Sequence, residues 1–314
     1  MPARVGTVQL LPARPPLLRP GAWHAAGRAR AVAGRSLTPP GWLRVGESPF
    51  RDDLFAGTRV LVTGGGTGMG LAFATAFAAH GAQVAIASRN DAHLAAGATA
   101  IAKATGAEAL THVVDVRDSE SVATLAATLE SEWGALDILV NNAAGNFFAP
   151  VAEMSENAWR AVVDIVLDGT FRVSRACHPL LCKGRDASVV NVVANYAWGA
   201  ASFVAHSGAA KAGVLNLTRS LALEWASHGI RVNALCPGVV PTEGAKANLF
   251  PAPEMEQMIT DTIPRGRLAT ADEMALQVLW LAASDYVTGE CLVADGGQWL
   301  AGNPYYTLGK LVAD

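Results

Sequence analysis

From Thr58 onward, apolar runs of strand length alternate with longer stretches of helical period. RVLVTG (59–64), AQVAIASR (82–89), EALTHVVDV (108–116), ALDILVNNA (135–143), ASVVNVVA (187–194), GIRVNALCPG (229–238) and ECLVADGG (290–297) predict seven strands. GLAFATAFAAHG (70–81), NDAHLAAGATAIAKATG (90–106) and residues 119–133, 157–182 and 207–227 predict the helices between them. Strands apolar on both faces and separated by helices imply an α/β fold with a parallel sheet covered on both sides. Right-handed crossovers then bring every strand C-terminus to one edge, where ligands bind.

Residues 239–268 break this rhythm. PTEGAKANLFPAPEMEQMITDTIPRGRL is amphipathic and punctuated by proline, and it follows the sixth strand directly. It reads as a lid over the edge of the sheet. Nothing suggests a second domain or an internal repeat. Residues 51–303 therefore form the expected single domain, with 304–314 as a C-terminal tail.

Composition narrows the classes. The 314 residues are 51% hydrophobic and 16% charged with a formal net charge of -3, which suits one medium-sized folded domain. Such a charge gives no electrostatic reason to expect nucleic acid, and no uncharged apolar run is long enough to span a membrane. Residues 1–50 differ, with seven arginines, one glutamate and eight prolines. They read as a disordered extension, and their acid-poor character leaves organellar targeting open beside a cytoplasmic location. Cys177, Cys182, Cys236 and Cys291 form no CxxC pair and read as buried free thiols. The seven histidines show no metal-ligand spacing along the chain.

The sharpest chemical signal is TGGGTGMG (63–70), where Gly64, Gly68 and Gly70 sit between a strand and a helix. Glycine permits a tight turn and a backbone close to a pyrophosphate, and the helix N-terminus attracts the anion. With Thr67 and Met69 these glycines define a dinucleotide site in a Rossmann-like doubly wound sheet. The second strand ends in Ser88–Arg89 rather than in an acidic residue. A cation and a hydroxyl suit a ribose 2′-phosphate, so NADPH is the expected cofactor. Asp115 and Val116 would flank the adenine, and Asn142 and Ala143 would line the crevice beyond the fourth strand.

TGGGTGMG, Asp115, NNAAG (141–145), Lys211, Pro237–Gly238 and DGG (295–297) together resemble the short-chain dehydrogenase/reductase family over residues 53–300. That family carries a YxxxK helix, and this chain has Ser207 where the tyrosine belongs. Val166 likewise occupies the position of the family's helix asparagine. IASRN (86–90), NNAAGNFFAP (141–150), NYAWGAASFV (195–204) and AHSGAAKAGVLNLTRSLALEWASHGIRVN (205–233) resemble the 2,4-dienoyl-CoA reductases and the related trans-2-enoyl-CoA reductases. In the former a tyrosine at the end of the fifth strand takes over the acid's place, and Tyr196 matches it. Ser207 and Lys211 match their serine and lysine. Asp168 stands where they place a substrate-binding asparagine.

The resemblance implies reduction of a conjugated acyl-CoA thioester, in which charge develops on the thioester oxygen and calls for hydrogen-bond donors. Tyr196 would donate there, Lys211 would bind the nicotinamide ribose, Ser207 would assist and Asp168 would relay water. Phe147, Phe148, Trp198 and Phe203 would wall the acyl groove, and Lys246, Arg265 and Arg267 would meet the CoA phosphates. Alternatives are trans-2-enoyl-CoA reduction, ketone or alcohol chemistry, and a non-catalytic NADPH-binding regulator. The resemblance also implies a homotetramer joined through two long helices and the last strand.

Overall fold

A computed structural model describes residues 48–249 and 253–301. Seven strands form one all-parallel sheet: β1 (Arg59–Thr63), β2 (Gln83–Ser88), β3 (Ala109–Val113), β4 (Ile138–Asn141), β5 (Ser188–Val192), β6 (Arg231–Pro237) and β7 (Cys291–Ala294). Their spatial order is β3-β2-β1-β4-β5-β6-β7. Leu61 in β1 pairs with Ala85 on one side and Leu139 on the other. The strand order reverses between β1 and β4, which opens a crevice at their C-terminal ends.

Helices cover both faces, as the two-sided apolar strands require. On one face lie α1 (Gly68–Ala79), α2 (Asp91–Thr105) and a helix over Ala271–Ala283, packed through Phe73, Phe77, Ile101 and Leu279. On the other lie α3 (Ser119–Trp133), a helix over Gly169–Leu181 and one over Ala205–Trp225, packed through Leu125, Val173 and Leu221. Local chemistry sets the boundaries. The Asn90 side chain accepts from His93 N–H to start α2, and Gly106, at φ 75°, ends it.

Three features depart from the sequence reading. The expected continuous helix over 157–182 is interrupted: α4 (Glu156–Val163) passes through a π-helical turn, Asp164–Asp168, into α5 (Gly169–Leu181). A Cβ on Gly169 would stand 2.7 Å from Val116 Cγ2, so only glycine lets α5 lie this close to the third strand's end. Residues 239–268 contain two helices, α7 (Glu243–Leu249) and α8 (Pro253–Asp261), following α6 (Ala205–Trp225). The excursion closes at its base, where Ala269 N–H donates to the Val239 carbonyl at 3.0 Å. The helix over 271–283, α9, has no counterpart among the expected elements, although Thr270 and Glu273 form a reciprocal capping box at its start.

The folded body also reaches slightly before residue 51. Ser48 Oγ lies 2.8 Å from His80 Nε2, and Phe50 packs edge-on to the same ring. Residues 1–47 and 302–314 lie outside the described residues, so most of the expected extension and the whole expected tail fall there. Among the described residues no helix is long and apolar enough to cross a membrane.

Candidate active site

The crevice at the strand-order reversal is a cavity of about 1240 Å³. Gly64, Thr67, Gly68, Met69, Gly70, Ser88, Arg89, Val116, Asn142 and Ala143 line it, whereas Asp115, Lys211, Pro237 and Gly238 do not. Gly64 and Gly68 have φ of 65° and 55°, and a Cβ on Gly70 would stand 2.1 Å from the Gly64 carbonyl oxygen. The turn is therefore closed to any side chain at Gly70. Thr67 precedes α1 and makes no side-chain capping bond, so its hydroxyl is not spent on the helix.

Thr63 and Asn142 lock the turn to the end of β4. Thr63 Oγ1 accepts from the backbone N–H of Asn142 and Ala143, at 3.0 and 3.1 Å. Asn142 Nδ2 donates back to the Thr63 and Gly64 carbonyls. Asn142 thus shapes the crevice through backbone contacts. Residues that sequence reasoning did not single out also line it, including Ile165 and Thr242, whose Cγ2 would touch a Cβ on Gly68 at 3.1 Å.

Beyond the C-terminal end of β3, Val114 and Val116 reach the cavity while Asp115 is drawn aside by Arg117. Arg117 Nε stands 3.0 Å from each Asp115 carboxylate oxygen. Its guanidinium holds the Asp115 carboxyl below the usual carboxylate range, so that group is ionised. Ser88 and Arg89 line the same cavity.

The other group of site residues stands beyond β5. A 3₁₀ turn, Asn195–Ala197, carries Tyr196, and α6 carries Ser207 and Lys211 one turn apart. Tyr196 Oη lies 3.2 Å from Ser207 Oγ. Burial pushes the phenol above its ordinary pKa, and the Ser207 hydrogen bond opposes that shift. A phenol held neutral is a donor, which keeps its role as a hydrogen-bonding group. Lys211 is buried, donates from Nζ to the Val192 carbonyl, and burial lowers its pKa to about 8.

A clamp that sequence reasoning missed fixes the Tyr196 turn. Buried Asp295 accepts from the N–H groups of Gly297 and Trp299, and Asn195 Nδ2 reaches its Oδ2 at 3.4 Å and Gln298 Oε1 at 3.2 Å. Trp198 and Trp299 pack edge-on with ring centroids 5.8 Å apart. Gly238, after Pro237, donates its N–H to the Ala294 carbonyl, and a Cβ there would stand 2.9 Å from Asp295 Cα. The signal for this clamp was the DGG turn itself, whose aspartate is followed by two glycines at positive φ.

Phe147 packs edge-on to buried His206, with centroids 4.6 Å apart. Ala149 N–H donates to the Phe203 carbonyl at 2.8 Å, which ties the two aromatic loops together. Phe148, Trp198 and Phe203 are each about half exposed, with apolar faces available to a ligand.

Two expectations move elsewhere. Asp168 lines another cavity with Trp159, Arg160 and Asp164; Tyr196, Ser207 and Lys211 line neither this cavity nor the crevice. Its carboxylate pairs with Arg172 at 3.6 Å. The π-helical turn supplies the reason: its extra residue rotates the downstream side chains by roughly 100° relative to a regular helix. Arg267 is committed to Glu273 in a two-point ion pair, leaving Lys246 and Arg265 as the other cations around the lid.

The cysteines and histidines also depart from their expected dispersal. Cys177 and Cys236 are buried, whereas Cys291 is half-buried and Cys182 is exposed. Cys182 joins His178 and His228 with their ligand atoms all within 4.8 Å, although the linear sequence showed no such grouping.

Comparison with known proteins places this geometry in context. A family model described as enoyl-(acyl carrier protein) reductase matches residues 64–298. A Bacillus subtilis (strain 168) protein named "Probable 2,4-dienoyl-CoA reductase", of the (2E)-enoyl-CoA-producing kind, is 40% identical over 250 residues, covering 78% of this chain and 97% of its own. A peroxisomal 2,4-dienoyl-CoA reductase of Pongo abelii, of the (3E)-enoyl-CoA-producing kind, is 39% identical over 254 residues, covering 80% and 87%. The crystal structure of a short chain dehydrogenase from Bacillus anthracis superposes with a TM-score of 0.73 at 39% identity, covering 81% of this chain and all of that one.

Proposed function

The chain belongs to the short-chain dehydrogenase/reductase family and is a nicotinamide-dependent oxidoreductase, and from that premise we propose that it reduces 2,4-dienoyl-CoA thioesters with NADPH. The observation that carries the proposal is the 3.2 Å approach of Tyr196 Oη to Ser207 Oγ, with Lys211 one turn further along α6. The phenol comes from the end of β5, while the usual tyrosine position on the helix holds a serine. A site of this kind suits charge stabilisation on a thioester oxygen better than direct proton delivery to a ketone.

The crevice fits the cofactor. Its volume, the glycine turn closed to side chains and the start of α1 provide the pyrophosphate seat. Ser88 and Arg89 at the lip would take the ribose 2′-phosphate. Lys211 would hold the nicotinamide ribose hydroxyls in place of the Val192 carbonyl it now meets. When bound, the reduced nicotinamide supplies a hydride to the conjugated carbon of the substrate.

The protein's part is to stabilise the charge that then spreads to the thioester oxygen. Tyr196, protonated as an ordinary phenol is and the more so for its burial, donates its O–H to that oxygen. Ser207 orients the phenol, and cationic Lys211 lowers the energy of the enolate. The aromatic loops around Phe147 and Phe203 exclude water and seat the acyl chain. Pro237 and Gly238, which the family resemblance assigns to the cofactor, stand at the end of β6, where Gly238 N–H donates to the Ala294 carbonyl. Asp168, turned onto Arg172, has no part in this scheme, and the proton that completes the reduction at carbon comes from water once the hydride has been transferred.

A 2-enoyl thioester is the second reading, favoured by the description of the matching family model. The resemblance also supports a homotetramer through α5, α6 and β7, to which exposed Phe171 and Leu223 would contribute apolar surface. The test is a panel of 2,4-dienoyl-CoA, trans-2-enoyl-CoA and 3-ketoacyl-CoA with NADPH, followed at the nicotinamide absorbance. Turnover of the dienoyl substrate is expected. Oxidation of NADPH by the ketone alone would overturn the proposal.

A further inference from the structure

The edge of the sheet opposite the crevice holds a second cluster of chemistry-bearing side chains. α5 carries His178, and Cys182 stands one turn later at its C-terminal cap; a 3₁₀ turn, Ala226–His228, follows α6 and presents His228. The Leu180 carbonyl accepts from Leu136 N–H just before β4, and His228 lies just before β6. The cluster therefore stands at the N-terminal ends of the strands, away from the crevice at their C-terminal ends. His178 Nε2 is 3.0 Å from His228 Nδ1 and 3.5 Å from Cys182 Sγ.

We propose that His178 Nε2, Cys182 Sγ and His228 Nδ1 form a binding site for Zn²⁺ or a similarly soft cation, with a fourth coordination position open to solvent. The distances carry this. Metal–nitrogen bonds of about 2.0–2.1 Å and metal–sulfur bonds of about 2.3 Å give tetrahedral edges of roughly 3.3 Å between nitrogens and roughly 3.6 Å between nitrogen and sulfur. The two separations from His178 Nε2 lie within a few tenths of an ångström of those edges, and all three ligand atoms lie within 4.8 Å of one another, so rotation of the exposed Cys182 and His228 side chains closes the third edge. A thiol and two imidazoles, with no carboxylate among them, select a soft cation over Mg²⁺ or Ca²⁺.

The surroundings support a preformed site. The His178 ring packs against Trp225 at 4.6 Å, which fixes its plane from behind. Cys182 and His228 are exposed and give the ion an entry path. Binding replaces the His178–His228 hydrogen bond. The proton on the ligating nitrogens moves to the far nitrogen of its ring, and the Cys182 thiol gives its proton to solvent. The bound ion then ties the end of α5 to the end of α6 across 50 residues of chain, which restrains the two helices against each other.

The test uses the full chain, stripped with chelator under reducing conditions. Calorimetric titration with ZnCl₂ is expected to show one equivalent per chain and a rise in Tm. Co²⁺ is expected to give a thiolate charge-transfer absorption. Cys182→Ser should abolish that absorption, and both Cys182→Ser and His228→Ala should weaken Zn²⁺ binding by at least about tenfold, the lower end of the loss for altering even an outer contact. His178→Ala is avoided because it strips the ring from Trp225, and the two exposed variants should keep the metal-free Tm. Failure to bind one equivalent, wild-type affinity in both variants, or a Co²⁺ band that survives Cys182→Ser would each overturn the proposal.

Discussion

Tyr196 Oη and Ser207 Oγ stand 3.2 Å apart, so the phenol offered by the end of β5 meets the helix at the position where the family usually carries its tyrosine. The acid's location has moved, and its partner on the helix has become a supporting hydroxyl. Tyr196→Phe should lower kcat by about 10²–10³, the loss typical of removing one donor to a developing oxyanion, while NADPH binding stays unchanged. Ser207→Ala should cost about tenfold, the worth of one neutral hydrogen bond. Steady-state kinetics with a 2,4-dienoyl-CoA checks both. A Ser207→Ala loss as deep as that of Tyr196→Phe would reverse the roles.

Lys211 gives the site an alkaline limit. Its pKa is lowered to about 8 by burial, so its charge is present at pH 7 and lost as pH rises through 8. Tyr196 is shifted upward from its ordinary value and stays protonated over that window. The kcat/KM for NADPH, which reports the free enzyme, should therefore fall on a limb with its midpoint near pH 8. Lys211→Arg should remove the limb along with most of the rate. In stability the sign runs the other way. The folded chain releases this proton before the unfolded chain does, so the cost of burying a charge is relieved between about pH 8 and the ordinary lysine pKa of 10.5.

Arg89 lines the crevice with Ser88 just past the end of β2. If it binds a 2′-phosphate, Arg89→Ala should raise the KM for NADPH by about 10–100-fold, the range for one charge-assisted hydrogen bond of about 1.5–3 kcal/mol. The KM for NADH should change little. Equal effects on both cofactors would show that Arg89 does not read the phosphate.

The glycine turn was legible because its constraint is local: no side chain fits at Gly70, whatever the rest of the fold does. The strands were legible because a sheet covered on both faces needs apolar residues throughout. Orientation along the helices was harder to read. A continuous 157–182 helix would aim Asp168 by simple periodicity, and the π-helical turn at 164–168 spoils that arithmetic. The apolar residues of α9 are spread around it rather than confined to one stripe, which hides its period, although ATADE (269–273) already held its capping box in Thr270 and Glu273. The pairing of Arg267 with Glu273, and of His178 with His228, depends on folded contacts that linear spacing does not report.

Asp168 offers a clean check of that geometry. Its carboxylate pairs with Arg172 and lines a cavity apart from Tyr196 and Lys211. Asp168→Asn should leave kcat and the KM for the thioester within about twofold and alter stability by no more than a surface ion pair, about 0–1 kcal/mol, would allow. A loss of rate beyond tenfold would bring Asp168 back into the chemistry and require α5 to rearrange when substrate binds.

Asp295 tests whether the C-terminal turn positions Tyr196. Its carboxylate, 4% exposed, receives the N–H groups of Gly297 and Trp299 and the side chain of Asn195, the residue before the phenol. Asp295→Ala would leave these donors without their acceptor, at about 1–3 kcal/mol for each one that stays buried. The stability loss alone would not distinguish a positioning role from a structural one. Loosening the turn should lower kcat while leaving the KM for NADPH nearly unchanged, because the glycine turn and Arg89 line a cavity that Tyr196 and Asp295 do not line. Asp295→Asn keeps an acceptor oxygen for the backbone donors and should recover most of kcat. A variant that loses stability yet turns over at the wild-type rate below its Tm would show that Tyr196 is held by β5 and α6 alone.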